Sequence, residues 1–275
     1  MFFHLKNRAI LKISGNDAES FLQSQLSNDI TKLDNFSVQL SAYCQHQGKI
    51  LSLFWVIRQE EGFYLSFPKE LLDSIQSRLK MFVIMSDVII EDVTNKFSQL
   101  GVIEEKEFTS LSINQKMSMI ILENKDLSNF DIESNDLWDK SCVDCNLPDV
   151  FLSTTEKLVP QMLNLDIGEK GVSFSKGCYP GQEVVARLHY LGSAKRRLFS
   201  FKADHEMQVG DSLYCSTSKA ASARGDRYKG SGIVVSKVKY NSLFYCLATL
   251  DVDLIDEEIT LNNNHGHKLQ RINNE

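Results

Sequence analysis

Apolar residues in the first 125 positions form short runs of strand length, separated by polar stretches. This pattern predicts strands at residues 9–13, 50–57, 63–67, 82–93, 99–104 and 118–122. Residues 50–57 form a nearly unbroken apolar run, so we expect that strand to be buried in the interior of a sheet.

Apolar residues at helical spacing predict helices between and after these strands. Asn16 is a candidate N-cap for a first helix, with Glu19 three residues on and Phe21, Leu22 and Leu26 behind it. Pro68 opens a second helix. Residues 134–145 form a third helix that Pro148 ends, and residues 183–191 form a short fourth one. Residues 153–177 have little periodicity and are expected to form surface loops.

The pattern changes at about residue 195, where short strands begin to alternate with turns. Strands are predicted at 198–202, 233–238 and 243–250, with a turn region at 216–232, which together are typical of a small antiparallel β-barrel. The Asn-rich tail after Leu261 is expected to be frayed. Alternating strands and helices followed by a barrel place the chain in the α+β class.

The composition is that of a globular protein with a large core. The chain has 275 residues, 43% of them hydrophobic and 24% charged, and a net charge of −6. An acidic balance argues against a general nucleic-acid-binding surface. The six cysteines are scattered, which is typical of reduced thiols in a cytosol. Because no apolar run reaches the roughly 20 residues that span a bilayer, we predict a soluble, cytoplasmic protein without membrane contact.

One segment, residues 176–187, stands apart chemically. Two glycines and a proline surround Cys178, and such a loop can expose successive backbone N–H groups. Lys176 and Arg187 add positive charge that would favour the thiolate, so Cys178, Lys176 and Arg187 are the candidate catalytic residues. A tight turn around a buried, inert cysteine fits the same composition.

The same segment resembles the signature of the YgfZ family, K-G-C-Y-x-G-Q-E-x-x-A-R. Every fixed position is met, including the loop residues Gly177, Tyr179, Gly181, Gln182 and Glu183. Residues 138–148 and 160–165 resemble two further family segments, W-x-x-x-x-I-E-x-G-x-P and P-Q-x-x-N-L. The resemblance extends over nearly the whole chain. It implies a fold like that of the glycine-cleavage aminomethyltransferase, folate binding, and support of iron–sulfur enzymes that include tRNA-modifying ones.

The resemblance also implies a division of the chain. We expect two α+β subdomains followed by a C-terminal antiparallel β-barrel. The first, folate-binding subdomain would combine residues 1–45 with the signature-bearing residues 150–194. The second would comprise residues 46–149, and the barrel with its tail residues 195–275.

Three residues are carried over as folate contacts. Trp138 matches a family tryptophan, and a flat indole can stack on a pterin ring, although an amphipathic helix also uses such a residue in its core. Asp144 stands where the wider fold has a glutamate that pairs with the pterin. Arg8 replaces a second family tryptophan and can stack on a ring through its guanidinium. Tetrahydrofolate is thus expected near Trp138 and Asp144, with Cys178 at the mouth of the cleft.

Two functions remain open on the sequence. One is an accessory protein whose partners are iron–sulfur client or assembly proteins; Cys178 alone cannot hold a cluster, which usually takes four ligands. The alternative is a tetrahydrofolate-dependent aminomethyl or one-carbon transferase. Residues 48–53 lack the acid that this chemistry needs in the wider fold, so whether the chain is an enzyme is left open.

Two smaller signals have competing interpretations. The basic residues Lys195, Arg196, Arg197 and Lys202 form either a solvated face or a site for an anion, such as the folate glutamate tail or RNA phosphate. Direct tRNA contact has little support from an acidic chain. Cys142 and Cys145 form a Cys-x-x-Cys that we assign to packing rather than to a redox or metal site, and no metal site is predicted.

Overall fold

The computed structural model describes residues 1–104, 111–215, 230–263 and 265–272. They form two five-stranded sheets and a closed barrel of six strands, which confirms the predicted α+β class and the C-terminal barrel. Within these ranges, no helix is both long enough and apolar enough to cross a membrane.

The strands, in chain order, are β1 (Phe2–His4), β2 (Arg8–Ser14), β3 (Val38–Cys44), β4 (Ile50–Gln59), β5 (Gly62–Pro68), β6 (Ile89–Asp92), β7 (Phe97–Ile103), β8 (Leu111–Ser112), β9 (Met117–Glu123), β10 (Ile132–Glu133), β11 (Arg196–Ala203), β12 (Ser212–Tyr214), β13 (Gly232–Tyr240), β14 (Leu243–Asp251), β15 (Ile259–Leu261) and β16 (Lys268–Ile272). The α-helices are α1 (Ala18–Gln25), α2 (Leu72–Met81), α3 (Asp136–Asp144) and α4 (Gln182–Tyr190). The first sheet has the order β3-β4-β5-β2-β6 and the second β10-β1-β7-β9-β8, while the barrel runs β11-β14-β13-β12-β15-β16.

Strand β4 is buried along most of its length, as its apolar run predicts. On one face of the first sheet, Phe54 packs into a core that includes residues of α1 and α2. On the other face, Leu53 packs into a core shared with α3, α4, the segment 150–172 and the barrel. The first sheet is therefore covered on both sides. The layer on the second side, formed by α3, α4, the segment 150–172 and the barrel, packs the later part of the chain against the N-terminal part.

Two N-terminal predictions need correction. The predicted strand 82–93 is extended only in β6, because Met85 has a φ of 58° and the chain turns after α2, leaving Phe82, Ile84 and Met85 exposed. Helix α1 begins after Asp17 rather than Asn16. The Asn16 amide instead donates to Asp87 at 2.7 Å, which ties the start of α1 to the loop before β6.

Within the described part of the C-terminal tail, Lys268–Ile272 form β16 of the barrel, so the prediction that the tail is frayed is wrong for these residues. Strand β16 pairs with β11 on one side and β15 on the other, and so closes the barrel. Leu269 is buried in the barrel core, which stabilises this last strand against fraying. The three predicted barrel strands are confirmed as parts of β11, β13 and β14. Of the predicted turn 216–232, residues 216–229 lie outside the described part of the chain.

The division into subdomains remains a prediction. The proposed boundary at residue 45 falls between β3 and β4, which pair with each other in the first sheet. The boundary at residue 195 coincides with the start of β11, the first barrel strand.

The loop before α4 is docked on the turn between β3 and β4 through a glycine. Gly181 has a φ of 84°, and a Cβ there would lie 2.5 Å from the carbonyl oxygen of Gln45 and 2.7 Å from the Cα of Gly48. Both the backbone conformation and the close approach therefore require glycine. A Cβ at Gly177, four residues earlier, would have no atom within 4 Å, so the fold places no steric demand on that position.

These two glycines give a matched pair of substitutions in one loop. We expect Gly181→Ala to lower the free energy of unfolding by about 2 kcal/mol or more, because left-handed backbone costs an L-residue roughly 1–2 kcal/mol and the new methyl must also displace backbone. Gly177→Ala should change it by less than about 0.5 kcal/mol. Urea unfolding followed by circular dichroism measures both, and equal effects would show that the docking contact does not restrict residue 181.

Candidate functional site

Two adjoining cavities lie among the two sheets, α3 and the barrel. The first has a volume of about 180 Å³ and is lined by residues of β2, β4, α3, β9 and β13. The second has a volume of about 550 Å³ and is lined by residues of β3, the segment 163–170, β11 and β16. Trp55, Ile113, Leu147 and Pro148 line both, so the cavities share an apolar wall.

Trp138 lines the first cavity from α3 while much of its indole is packed in the core. The side chain is 6% exposed. Its ring lies against β7 at Gly101, where a Cβ would come within 2.3 Å of the indole. The ring centroid of Phe3 lies 6.3 Å from that of Trp138. The indole thus has a packing role. It also lines the first cavity, and its contact with folate stays a prediction.

Arg8 lines the same cavity and is held in place by its neighbours. Its Nε and Nη2 donate to the hydroxyl and the carbonyl oxygen of Ser66 at 2.8 and 3.0 Å, and Nη1 forms a salt bridge with Asp149. Burial raises the pKa of Asp149, although the Arg8 guanidinium opposes the change. The structure thus brings Arg8 and Trp138 together, with Arg8 already engaged along its polar edge.

Asp144 is not brought to either cavity. It lies on the exposed side of α3, where its carboxylate forms a salt bridge with Lys140 one turn earlier. An α-helix turns about 100° per residue, so the side chains of Trp138 and Asp144, which are six positions apart, point to different sides of α3. The same geometry places Asp139 beside Trp138, and Asp139 lines the first cavity. A helical-wheel plot of residues 134–145 places Asp139 on the same side of α3 as Trp138 and Cys142, so the sequence contained a signal for Asp139.

The Asp139 carboxyl group has an unusual environment. Its side chain is exposed to solvent at the border of the first cavity. Partial desolvation by neighbouring protein atoms raises its pKa to about 6, the nearby Asp136 and Asp149 carboxylates add to the increase, and Arg8 opposes it. The group therefore titrates close to neutral pH, unlike an ordinary surface aspartate.

The second cavity carries hydrogen-bond donors and positive charge. The Nε2 of Gln39 is buried without a hydrogen-bond partner among the described residues. Lys170 and Arg271 also line this cavity, together with the acidic Glu169. Its donors and cations suit a ligand that carries acceptor or acidic groups.

The two cysteines of the Cys-x-x-Cys line different cavities. Cys142 borders the first and Cys145 the second, and both are half-buried and unbonded to each other. Burial raises the pKa of the Cys142 thiol, which disfavours its thiolate. Both side chains also pack against the core beside Trp138, in line with the packing role assigned from the sequence.

Cys178 is exposed at the surface. All six cysteines lie in the described part of the chain, and the other five are buried or half-buried. Cys178 and Arg187 are absent from the described linings of both cavities, so the structure does not bring the signature cysteine to the cleft beside Trp138. Arg187 lies on the exposed side of α4.

Lys176 is directed away from the solvent and into the end of α1. Its side chain is buried, and its ammonium donates to the backbone carbonyls of Gln23, Leu26 and Asn28, the first and last at 2.7 and 3.0 Å. Burial lowers the pKa of Lys176 to about 8, and the Asp29 carboxylate opposes this. Lys176 thus satisfies carbonyls at a helix C-terminus instead of facing the sulfur of Cys178 as expected.

The remaining signature residues build the loop and the helix after it. Tyr179 is buried, and its ring centroid lies 5.3 Å from the Lys176 ammonium. Burial raises the pKa of the Tyr179 hydroxyl. Gln182 begins α4, its backbone N–H donating to the Tyr179 carbonyl at 3.1 Å, and Glu183 is exposed in the first helical turn. Gln182 and Glu183 therefore belong to the helix and not to an irregular loop.

The segment 160–165 and the basic cluster hold the barrel against α4. Gln161 donates to the Val185 carbonyl at 2.7 Å, and Asn164 donates to the Leu198 carbonyl at 2.9 Å. Arg197 forms a bidentate salt bridge with Asp166, and a further one joins Arg196 to Asp251 at 2.7 Å. Two of the four basic residues are therefore engaged within the protein.

Comparison with known proteins places this geometry in context. No family model matches the chain. An uncharacterized protein of Haemophilus influenzae is 29% identical over 265 residues, covering 94% of this chain and 91% of that protein. The tRNA-modifying protein YgfZ of Vibrio atlanticus is 26% identical over 266 residues, covering 87% and 80%. That of Aliivibrio fischeri is 26% identical over 281 residues, covering 92% and 86%.

The fold has a solved counterpart. The aminomethyltransferase T of the glycine cleavage system from Bartonella henselae superposes with a TM-score of 0.69 over 98% of this chain and 84% of its own, at 14% identity. At that identity the likeness shows the fold alone. By sequence over most of its length, the chain is a homologue of the proteins named tRNA-modifying protein YgfZ, built on the aminomethyltransferase fold.

Proposed function

We propose that the protein is a folate-binding accessory factor for iron–sulfur enzymes, including enzymes that modify tRNA. Tetrahydrofolate would occupy the two adjoining cavities, and Cys178 would act at the surface as a reactive thiol towards protein partners. The observation that carries the proposal is the pair of cavities beside Trp138, whose polar groups match the two ends of a folate. The names of the relatives support the link to tRNA modification.

The cavities suit the size and the chemistry of the cofactor. Ligand sites commonly have volumes of about 300–1,000 Å³. The first cavity alone is smaller than that range, but the two together fall within it. A pterin ring would use the aromatic wall and the carboxylate of the first cavity. The acidic tail would meet Lys170, Arg271 and the buried Gln39 amide of the second cavity.

Cys178 is suited to a partner that approaches from outside. A cluster usually takes four protein ligands, so this thiolate would supply one ligand and the client or assembly protein the others. Direct contact with tRNA has less support, because Arg196 and Arg197 already pair with carboxylates of this chain. The link to tRNA would then run through the modifying enzymes.

The transferase alternative lacks support at the position where its fold would place an acid. Residues 48–53 contain no carboxylate, and Ser52 at that position is fully buried in β4. Its hydroxyl contacts the carbonyl oxygen of Leu53 at 3.4 Å. We therefore favour the accessory function over one-carbon transfer.

The folate site can be tested through Trp138. We expect Trp138→Ala to weaken tetrahydrofolate binding by at least about fivefold, equivalent to roughly 1 kcal/mol for a lost aromatic contact. Isothermal titration calorimetry gives the affinity. In the wild-type protein, tryptophan fluorescence should also be quenched, because both tryptophans line the first cavity.

Two variants control this measurement. Phe82→Ala removes an exposed aromatic ring outside both described cavity linings and should leave the affinity unchanged. Trp138→Leu also removes the aromatic ring but keeps more of the packing against Gly101, so it is less prone to unfold than Trp138→Ala. Thermal melting shows whether each variant is folded. A folded Trp138 variant with wild-type affinity would contradict the placement.

The thiol function can be tested through Cys178. In the native protein, a maleimide should label Cys178 faster than Cys44 or Cys246, because those thiols are buried. Cys178→Ser should melt within about 2 °C of the wild type, since an exposed substitution changes stability little. In a strain lacking the gene, this variant should fail to restore iron–sulfur enzyme activities and tRNA thiomethylation.

Cys246→Ala is the control for that experiment, because it also removes a thiol, but one buried in the barrel core and outside both described cavity linings. It should restore both activities. Full rescue by Cys178→Ser, or labelling of Cys178 only after unfolding, would show that the reactive thiol is not the functional group.

A further inference from the structure

A third, polar cleft of about 330 Å³ opens beside β1 and β7, and its lining shares Leu5 and Arg8 with that of the first cavity. Its titratable lining residues are all basic: His4, Lys6, Arg8 and Lys69. The described lining contains no aspartate or glutamate, although the whole chain carries a net charge of −6. The cleft is therefore a local concentration of positive charge in an acidic protein.

Two of the cations in this cleft are unpaired. Arg8 is neutralised by its salt bridge with Asp149. The exposed Lys6 and Lys69, by contrast, have no ion-pair partner among the described residues. The backbone brings the two lysines together, because the N–H of Lys69 donates to the carbonyl oxygen of Asn7, the residue after Lys6, at 2.8 Å. The fold thus places two uncompensated charges at one cleft.

The imidazole of His4 experiences this positive charge. Burial lowers the pKa of His4, and the neighbouring Lys6 ammonium lowers it further. A charged imidazole is disfavoured beside a cation that no carboxylate offsets. An anion bound in the cleft would oppose this effect, because it would stabilise the charged form of His4.

Neutral side chains hold the remaining wall of the cleft in place. The Ser98 hydroxyl donates to Oδ1 of Asn124 at 2.7 Å, and Nδ2 of Asn124 donates to the Asn95 carbonyl at 2.7 Å. The Thr94 hydroxyl accepts from the N–H of Ile10 at 3.0 Å and keeps a proton to donate. These bonds order the polar wall before a ligand arrives, which reduces the entropy lost on binding.

We propose that this cleft binds the phosphate group of a small phosphate monoester. Such a group carries a charge of about −1.5 to −2 at pH 7 and three strong acceptor oxygens, and so matches two unpaired ammoniums better than the single charge of a carboxylate does. The volume of about 330 Å³ lies at the small end of the roughly 300–1,000 Å³ that is usual for ligand sites. The site is separate from the proposed folate and thiol functions and does not depend on them.

The surroundings favour a small ligand over a strand of nucleic acid. Exposed carboxylates stand directly beside lining residues in the chain, Glu70 after Lys69 and Glu123 before Asn124. A nucleic acid strand extends its row of phosphates beyond a single site, where like charges repel. A compact monoester keeps its negative charge within the basic cleft.

The proposal is tested by removing both unpaired charges together, with Lys6→Gln and Lys69→Gln in one protein. Lys80→Gln with Lys157→Gln is the matched control, because it changes the net charge equally at two exposed lysines outside the described cavity linings. Binding of inorganic phosphate and of adenosine monophosphate is measured by calorimetry at one low ionic strength, since salt screens exposed charges. The wild type should bind both probes. The Lys6 and Lys69 variant should bind them at least about tenfold more weakly, and the control as the wild type does.

A short single-stranded RNA without a terminal phosphate distinguishes the other source of phosphate. If the two cleft lysines affect RNA binding but not binding of inorganic phosphate or adenosine monophosphate, the cleft contacts a nucleic acid backbone and the proposal is wrong. It is also wrong if the wild type binds neither small probe, or if both double variants bind the probes equally well. The folate and thiol proposals stand under each of these outcomes.

Titration of His4 gives a second readout. Lys6, Arg8 and Lys69 share its cleft, and Glu133 lies on the neighbouring strand β10. Saturating inorganic phosphate should move the NMR titration midpoint of the His4 imidazole to higher pH, because the bound anion stabilises the charged ring. The Lys6 and Lys69 variant should show no such change at the same phosphate concentration. An unchanged midpoint in the phosphate-bound wild type would place the anion elsewhere and overturn the proposal.

Discussion

The burial of β4 on both faces is the constraint on which the arrangement of this protein depends. An apolar strand in the middle of a sheet must be covered on each side, and the two short helices α1 and α2 cover only one. The other side is covered by the segment 150–172, α4 and the barrel, which pack around Leu53 and Ile50. The chain after residue 150 therefore packs against the first sheet. The cavities and the signature loop lie along this contact between the sheet and the later part of the chain.

Some fixed residues of the signature support the loop from the interior, and others are exposed at the surface. Lys176 satisfies carbonyls at the end of α1, Tyr179 is buried, and Gly181 rests on the turn between β3 and β4. Lys176 and Gly181 anchor the loop at two points of the layer formed by the first sheet and α1, and between them Gly177 and Cys178 remain exposed. A motif of this kind holds one thiol at the surface in a defined position, which is useful for meeting a partner and unnecessary for a packed structural cysteine.

The ligand groups that the cavities can bind depend on which polar side chains in their linings have no partner within the described part of the protein. Arg8, with its permanent charge, is neutralised by Asp149 and held by Ser66, whereas Asp139 keeps its acceptors available. In the second cavity, the Nε2 of Gln39 is a buried donor that finds no acceptor in the described part of the chain. Because buried polar groups are rarely left unsatisfied, the Gln39 amide is a better indicator of a ligand than the charged residues that pair within the protein.

The sequence by itself determined the periodic elements and the signature. The buried run of β4, the helix around Trp138 and the barrel strands followed from local hydrophobic patterns, which the pleat and the helical turn impose on each segment separately. Tertiary structure alone decided the rest. It showed that α3 turns Asp139 and not Asp144 towards the cavity and that Lys176 reaches α1, some 150 residues away along the chain. It also showed that β16 closes the barrel instead of fraying. These outcomes depend on which distant segments meet, and no local pattern records such contacts.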